Sequence, residues 1–264
     1  MKFNVHAGHN PDGKTACGAV GLIKESTQAR LVKAKVITYL KAQGHTVYDC
    51  TCENGTSQSD VLKKIIKKCN ANKVAVDVSI HFNSGASDEK GNGKTTGVEV
   101  LVHPNSTVTN YATNICKAIA DLGFKNRGVK TRNNLYFLNQ SKNPALLIEC
   151  CFVDDKDDVA LYSAEAMAKA IVKGLTGKEV TEKKTTTNTS SATKSTSTTT
   201  NYKVKITTTE LNVRKSASAS SDIVTTVKKD DVYTIVEEKK NGETTWGKLK
   251  SGVGWISLQH TKKV

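Results

Sequence analysis

The sequence predicts an α/β unit, with a mostly parallel sheet and helices on both faces, followed by a small all-β barrel. Three observations carry this reading. Strand-like and helix-like patterns alternate over residues 1–180, a Thr/Ser tract fills 181–201, and short alternating runs with Gly-marked turns fill 202–264. The expected organisation is therefore a domain at 1–180, a linker at 181–201 and a second domain at 202–264.

In the first part, strands are expected at 2–7, 45–52, 74–82, 97–103, 134–139 and 145–152, all rich in β-branched or aliphatic residues. A helix is expected over 27–43, with apolar residues at 32, 36, 39 and 40 and Gly44 as its stop. Val61, Leu62, Ile65, Ile66 and Cys69 mark one face of a helix over 58–71, and Ser57-x-x-Asp60 resembles a capping box. Further helical periods run through 107–122 and 157–175, the latter ending near Gly174 and Gly177. Strands that alternate with helices pair in parallel, which puts the helices on both faces of the sheet.

The tract 181–201 holds ten Thr, four Ser and a single hydrophobic residue, Ala192. Such a segment cannot bury enough surface to offset its ordering entropy, so a solvated linker is expected. Every Cys and both Met lie before it and both Trp after it, so the flanking parts differ in composition. Beyond it, runs such as Asp231-Val232-Tyr233-Thr234-Ile235-Val236, with Gly242, Gly252 and Gly254, read as short strands and turns.

Composition excludes several classes. At 264 residues and 37% hydrophobic, the chain is too apolar for wholesale disorder. No stretch reaches the ~18 apolar residues of a membrane span, and the start lacks the apolar core of a signal peptide. The expectation is a protein made in the cytoplasm without a signal peptide, with no membrane insertion. The net charge of +14 is spread as +7 over 1–180, +2 over 181–200 and +5 over 201–264. Lys outnumbers Arg 35 to 4 and no basic helix occurs, so nucleic-acid recognition has little support. Seven irregularly spaced Cys in a reducing compartment read as buried free thiols, and Cys50-x-Cys52 lacks the second pair of a zinc knuckle.

In an open parallel sheet, chemistry gathers beyond the carboxyl ends of the strands. His9 follows the first strand, His81 closes 74–80, Glu149 closes 145–148, and Glu25 stands where the loop enters the first helix. Two imidazoles and two carboxylates on one edge have the composition of a catalytic zinc site: three ligands, an open position for water, and a carboxylate to handle protons. Each residue also has a plainer reading, His9 as a turn residue and Glu25 as a helix-start carboxylate favoured by the macrodipole. Cys150 and Cys151 follow Glu149, but the histidines that a catalytic thiol needs are better used by a metal. Asp154, Asp155, Asp157 and Asp158 suggest calcium less than the start of a helix. His45 and His103 have no role here, and Gly91-x-Gly93-Lys94 is not a phosphate loop because no helix follows it.

Val5-His6-Ala7-Gly8-His9, Gly21-Leu22-Ile23-Lys24-Glu25, Ser79-Ile80-His81-Phe82-Asn83 and Pro144-Ala145-Leu146-Leu147-Ile148-Glu149 resemble, in order and spacing, the zinc-dependent N-acetylmuramoyl-L-alanine amidases of the Amidase_3 family. Asn126-Arg127-Gly128-Val129 also fits, and the likeness covers about 2–176. The resemblance implies Zn2+ as cofactor, His9, Glu25 and His81 as its ligands and Glu149 as the catalytic carboxylate; Asn83, two residues after His81, is a further candidate substrate contact. His6 departs from the family, which usually has Asp there, and reads as a supporting or surface side chain.

Glu210-Leu211-Asn212-Val213-Arg214-Lys215, with Val224-x-x-Val227, Gly242, Trp246 and Gly254-Trp255-Ile256, resembles a bacterial SH3 domain over about 202–260. Such domains attach enzymes to cell walls. Tyr233 and Trp246 are candidate contacts for peptide or glycan, Trp255 beside Ile256 is the better core candidate, and the positive charge suits anionic wall polymers. Together these resemblances imply a peptidoglycan hydrolase of phage endolysin type that lyses a Gram-positive host and acts on the wall after release. A host autolysin or spore-lytic amidase shares the chemistry, and a binding-only wall protein is the reading from another class.

Overall fold

The computed structural model describes residues 1–180, 197–219, 221, 223–241 and 244–264. The chain divides into two compact units, Met1–Glu182 and Lys183–Val264. No helix among the described residues is long and apolar enough to cross a membrane.

The first unit runs β1 (Lys2–Ala7), α1 (Glu25–Ala42), β2 (Thr46–Asp49), α2 (Gln58–Asn70), β3 (Val76–Asn83), β4 (Val98–Val102), α3 (Thr109–Ala120), β5 (Asn126–Thr131), α4 (Tyr136–Gln140), β6 (Ala145–Phe152), α5 (Lys156–Leu161) and α6 (Ala164–Thr176). Its six strands are ordered β2-β1-β3-β6-β4-β5. The β2-β1-β3-β6 run is parallel, β4 is antiparallel to β6, and β5 is parallel to β4. The sheet is thus mixed but mostly parallel. Its period-2 alternation separates two cores. Leu146 and Ile148 of β6 join Phe3, Val5, Val78 and Ile80 under α1, α3 and α6, while Ala145 and Leu147 face Val61, Ile65 and Phe137 of α2 and α4.

Helix punctuation follows local chemistry. The Ser57 hydroxyl accepts from Asp60 N at 3.1 Å, and the Asp60 carboxylate accepts in return from Thr56 N at 2.9 Å. Gly44 at φ +83° and Gly177 at φ +69° follow the ends of α1 and α6 in the left-handed region. Asp155 caps α5, accepting from Asp157 N at 2.8 Å and Asp158 N at 2.9 Å, with Asp157 and Asp158 in the first turn of the helix.

Three local expectations need correction. Residues 134–139 were expected as a strand, but Tyr136–Gln140 are helical. An apolar run of four, Leu135 to Leu138, fits a buried strand and a one-turn helix equally, and packing of Phe137 and Leu138 against α2 selects the helix. The sixth strand is instead β5, a half-exposed edge strand without a hydrophobic face to advertise it. The helix expected over 157–175 is two helices, because Ser163 accepts from Ala166 N and starts α6 afresh.

The second unit is an all-β sheet: β7 (Ser197–Ile206), β8 (Glu210–Arg214), β9 (Ile223–Lys228), β10 (Val232–Asn241), β11 (Thr244–Leu249), β12 (Trp255–Ser257) and β13 (Thr261–Lys263). The order is β13-β7-β10-β11-β12-β8-β9, with every pairing antiparallel. Val204, Ile206, Val213, Ile235, Leu249 and Ile256 centre its core. Of the segment expected as linker, 181–196 lies outside the described residues and 197–201 belongs to β7. Trp255, the expected core candidate, is half-buried and outside the core, whereas Trp246 is buried. Ile256 points into the core, so its neighbour Trp255 points away, and Trp246, the register partner of Ser257, lies on that same outer face.

Candidate active site

The parallel strands β1, β3 and β6 end on the same edge, and their register brings the predicted site residues together. Gly8 N donates to Ile80 O at 2.9 Å, which sets the loop after β1 beside His81. His81 is the register partner of Glu149, and Glu149 in turn is the partner of Glu99 on β4. Glu25, the first residue of α1, lies under this edge with its carboxylate buried.

His9 Nε2 stands 3.3 Å from Glu25 Oε1, and His81 Nδ1 stands 2.9 Å from the same oxygen. The two rings meet edge to face, their centroids 4.9 Å apart. Glu25 is held from behind: Phe82 N donates to Oε1 at 3.2 Å and Ala19 N to Oε2 at 2.8 Å. Burial alone would raise its pKa, but the hydrogen bonds to His81 and His9 outweigh that and hold the carboxyl well below the usual range.

The site is built close to its steric limit. A Cβ on Gly18 would lie 2.4 Å from Glu25 Oε2 and 2.8 Å from His9 Cδ2, and a Cβ on Gly8 would fall within the His81 ring. His9 itself adopts φ +64°, a left-handed conformation costing roughly 1–3 kcal/mol that persists only where neighbours over-determine it. Arg30, a turn along α1 from Glu25, supplies that constraint. Its Nη2 donates to His9 O at 3.1 Å and Cys52 O at 2.8 Å, and its Nη1 to Asn10 O at 3.3 Å. The buried Asn10 side chain adds bonds to Thr15 O and Gly55 O, each 2.7 Å. Neither Arg30 nor Asn10 was singled out from the sequence, and Arg30 offered only one signal, as one of four Arg among 35 Lys.

The ligand atoms of His9, Glu25 and His81 lie within 4.8 Å of one another. Two imidazoles and one carboxylate, converging from three elements and leaving one side open, fit a catalytic zinc. A second acidic group, Asp88, Asp155 and Asp157, also converges, but Asp155 and Asp157 spend their oxygens on backbone N–H groups of 92–93, 96 and 157–158.

Glu149 stands apart from the metal-ligand set. Its Oε2 is buried and has no hydrogen-bond partner among the described residues. Burial, then the charges of Glu25 and Glu99, push its pKa up to about 8. Burial among like charges favours the protonated form of such a carboxyl. Burial, then the charges of Glu149 and Glu25, push the Cys150 thiol far up, which disfavours the thiolate a nucleophile needs.

A cavity of about 370 Å³ opens beside the triad, with His6, Ser79, His81 and Glu149 on its floor and Val61, Ile65, Leu135 and Phe137 on its walls. His6 is fully buried rather than at the surface. Its Nδ1 donates to Ala7 O at 3.2 Å and its ring meets Phe137 edge to face at 4.7 Å. Burial, reinforced by His81, lowers its pKa to about 3. Asn83, at the end of β3, does not join the metal ligands and donates to Glu99 Oε1 at 3.1 Å.

In the second unit, Trp246, Asn212, Arg214 and Ser257 line a groove of about 330 Å³. Tyr233 is not among its lining residues; its hydroxyl donates to Asp231 at 3.2 Å.

Residues 209–262 match the bacterial SH3 domain family. An uncharacterized protein of Clostridium perfringens is 32% identical over 186 residues, covering 69% of this chain and 53% of its own. An endolysin of Bacillus phage SPP1 is 29% identical over 174 residues, 64% of this chain and 60% of its own. The chain thus spans about half the length of the curated relatives it matches. Among solved structures, the catalytic domain of the CD27L endolysin, described as targeting Clostridia Difficile, superposes with a TM-score of 0.60 at 29% identity, covering 69% of this chain and 99% of that one. Residues 4–177 match the model of the N-acetylmuramoyl-L-alanine amidase family, and with its fold and convergent His9, Glu25 and His81, the chain belongs to that family, Amidase_3.

Proposed function

We propose that this protein hydrolyses the amide between the lactyl group of N-acetylmuramic acid and the L-alanine of the stem peptide, as a zinc-dependent wall amidase of phage endolysin type. The observation that carries the reading is the buried Glu149 Oε2, without a hydrogen-bond partner among the described residues, one strand over from His81 in the converged His9–Glu25–His81 set.

His9, Glu25 and His81 would hold the metal. Bound there, zinc supplies Lewis-acid polarisation of a carbonyl and makes a water acidic enough to attack at neutral pH. Glu149 takes the proton from the attacking water at Oε2 and delivers it to the leaving nitrogen as the C–N bond breaks. The products are the muramoyl carboxylate and the free amino group of L-alanine. Burial, then the charges of Glu25 and Glu99, favours the protonated form of Glu149, which suits the delivery half of that cycle. Arg30 keeps the strained His9 loop in place, so the ligand geometry exists before substrate arrives.

The SH3-like unit would hold the enzyme on the wall, with the excess of Lys favouring anionic wall polymers. Likeness to two endolysins supports a phage-type role, in which the enzyme reaches the wall after release from the cytoplasm. Incubation with purified peptidoglycan tests the bond assignment. New L-alanine amino termini without new reducing sugars, abolished by a chelator and restored by zinc, are expected; new reducing sugars would instead make the protein a glycosidase.

A further inference from the structure

Across three adjacent strands, Glu149 of β6, Glu99 of β4 and the Arg127–Gly128 step of β5 stand in one row, since Glu99 is the register partner of both Glu149 and Gly128. Arg127 Nε donates to Glu99 Oε2 at 2.9 Å, and its guanidinium lies over the Phe152 ring, 5.0 Å from the centroid. The side chain is one-third exposed, and among the described residues its Nη1 and Nη2 groups have no hydrogen-bond partner. One N–H of the fork and one face of its plane therefore fix Arg127, while its two outer amino groups are free for a bidentate contact.

We propose that Arg127 binds the free α-carboxylate on the second residue of the stem peptide, and so sets the specificity of this site on the amine side of the cut. The proposal rests on the amidase reading above. The second residue of a stem peptide, D-glutamate joined through its γ-carboxyl, presents a carboxylate that in some walls is a carboxamide. From the scissile nitrogen to that carboxyl carbon is about 6–7 Å along two backbone units. Strands are spaced ~4.8 Å apart, so Gly128 lies about 10 Å from Glu149, and the Arg127 side chain reaches back one strand to Glu99. Scissile bond at Glu149 and carboxylate at Arg127 are thus a compatible pair. Glu99 and Phe152 preorganise the fork, which limits the side-chain entropy lost on binding.

The test compares uncross-linked glycan strands bearing L-Ala–D-isoglutamate with strands bearing L-Ala–D-isoglutamine, using the full chain and its Arg127→Met and Arg127→Lys variants. Wild type is expected to favour the carboxylate by about tenfold to a hundredfold in kcat/KM, the gain typical of a charge-assisted pair. Arg127→Met is expected to abolish that preference, and Arg127→Lys to keep part of it. The ratio is independent of how much of each variant folds, because the active concentration cancels. Equal cleavage of both strands by wild type, or an unchanged preference in Arg127→Met, would leave Arg127 as the counterion of Glu99 and overturn the assignment. Cleavage of whole peptidoglycan but of neither dipeptide strand would also overturn it, by moving recognition further along the peptide. Failure to cleave peptidoglycan at all would overturn the amidase reading along with it.

Discussion

Glu149 and Glu99 face each other directly across the antiparallel β6–β4 pair, with both oxygens of Glu99 engaged, by Asn83 and Arg127, and Glu149 Oε2 without a partner among the described residues. One carboxylate is fixed by its partners, and the other has an oxygen that no described residue engages. That asymmetry divides the roles of the two groups.

Its first consequence is a pH dependence of stability in the metal-free protein. The folded pKa of Glu149 is raised from 4.5 to about 8, so the folded state binds more protons than the unfolded state between those values. The contribution of Glu149 is therefore fully present below pH 4.5 and is lost as pH rises through 8, a change on the order of a few kcal/mol. Chemical denaturation of chelator-treated protein is expected to show falling stability from pH 6.5 to 8, and Glu149→Gln to remove that slope. A slope unaltered in the variant would assign it to another group.

His6 works in the opposite direction. Its folded pKa is lowered from 6.5 to about 3 by burial, so its contribution is present above pH 6.5 and lost as pH falls towards 3. Between pH 5 and 6.5 the two residues oppose each other. His6→Asn is expected to leave stability falling steadily with pH across 5–8, whereas Glu149→Gln leaves it rising from 5 to 6.5, by up to about 1.4 kcal/mol per pH unit for one proton. Identical curves for wild type and His6→Asn would mean that His6 titrates normally.

Crowding at the metal ligands gives a steric prediction. Gly18→Ala puts a Cβ against Glu25 and His9 at φ +83°, whereas Gly13→Ala, at φ +78°, meets nothing within 4 Å. Both variants carry similar backbone strain, and only the first displaces ligands. Competition against a chromophoric chelator is expected to show zinc affinity about 10–100-fold weaker in Gly18→Ala and near wild type in Gly13→Ala. Equal losses would attribute the effect to strain alone.

Much of this was legible in the sequence because it is local. The apolar period of α2, its Ser57 cap and the aliphatic runs of β1 and β6 each encode an element within a few residues. His9, His81 and Glu149 could be nominated because strand ends in a parallel sheet share an edge. What escaped notice depends on distant partners. The strand β5 has no buried face to generate alternation, and Phe137 and Leu138 are helical because α2 packs on them. Arg30 became visible only when its guanidinium met the carbonyls of His9 and Cys52, and Glu99 only when β4 set it opposite Glu149. Trp246 and Trp255 share a face of the sheet, because Trp246 pairs with Ser257, and only that register shows that neither points to the Ile256 side.

The central claim, that Glu149 moves the proton while His9, Glu25 and His81 hold the metal, is tested most directly by Glu149→Gln, with bound zinc and peptidoglycan turnover measured on the same preparation. One zinc per chain, as in wild type, is expected, with turnover reduced by about 10²–10⁴-fold. Turnover near wild type would contradict it, and so would loss of zinc, which would make Glu149 a ligand.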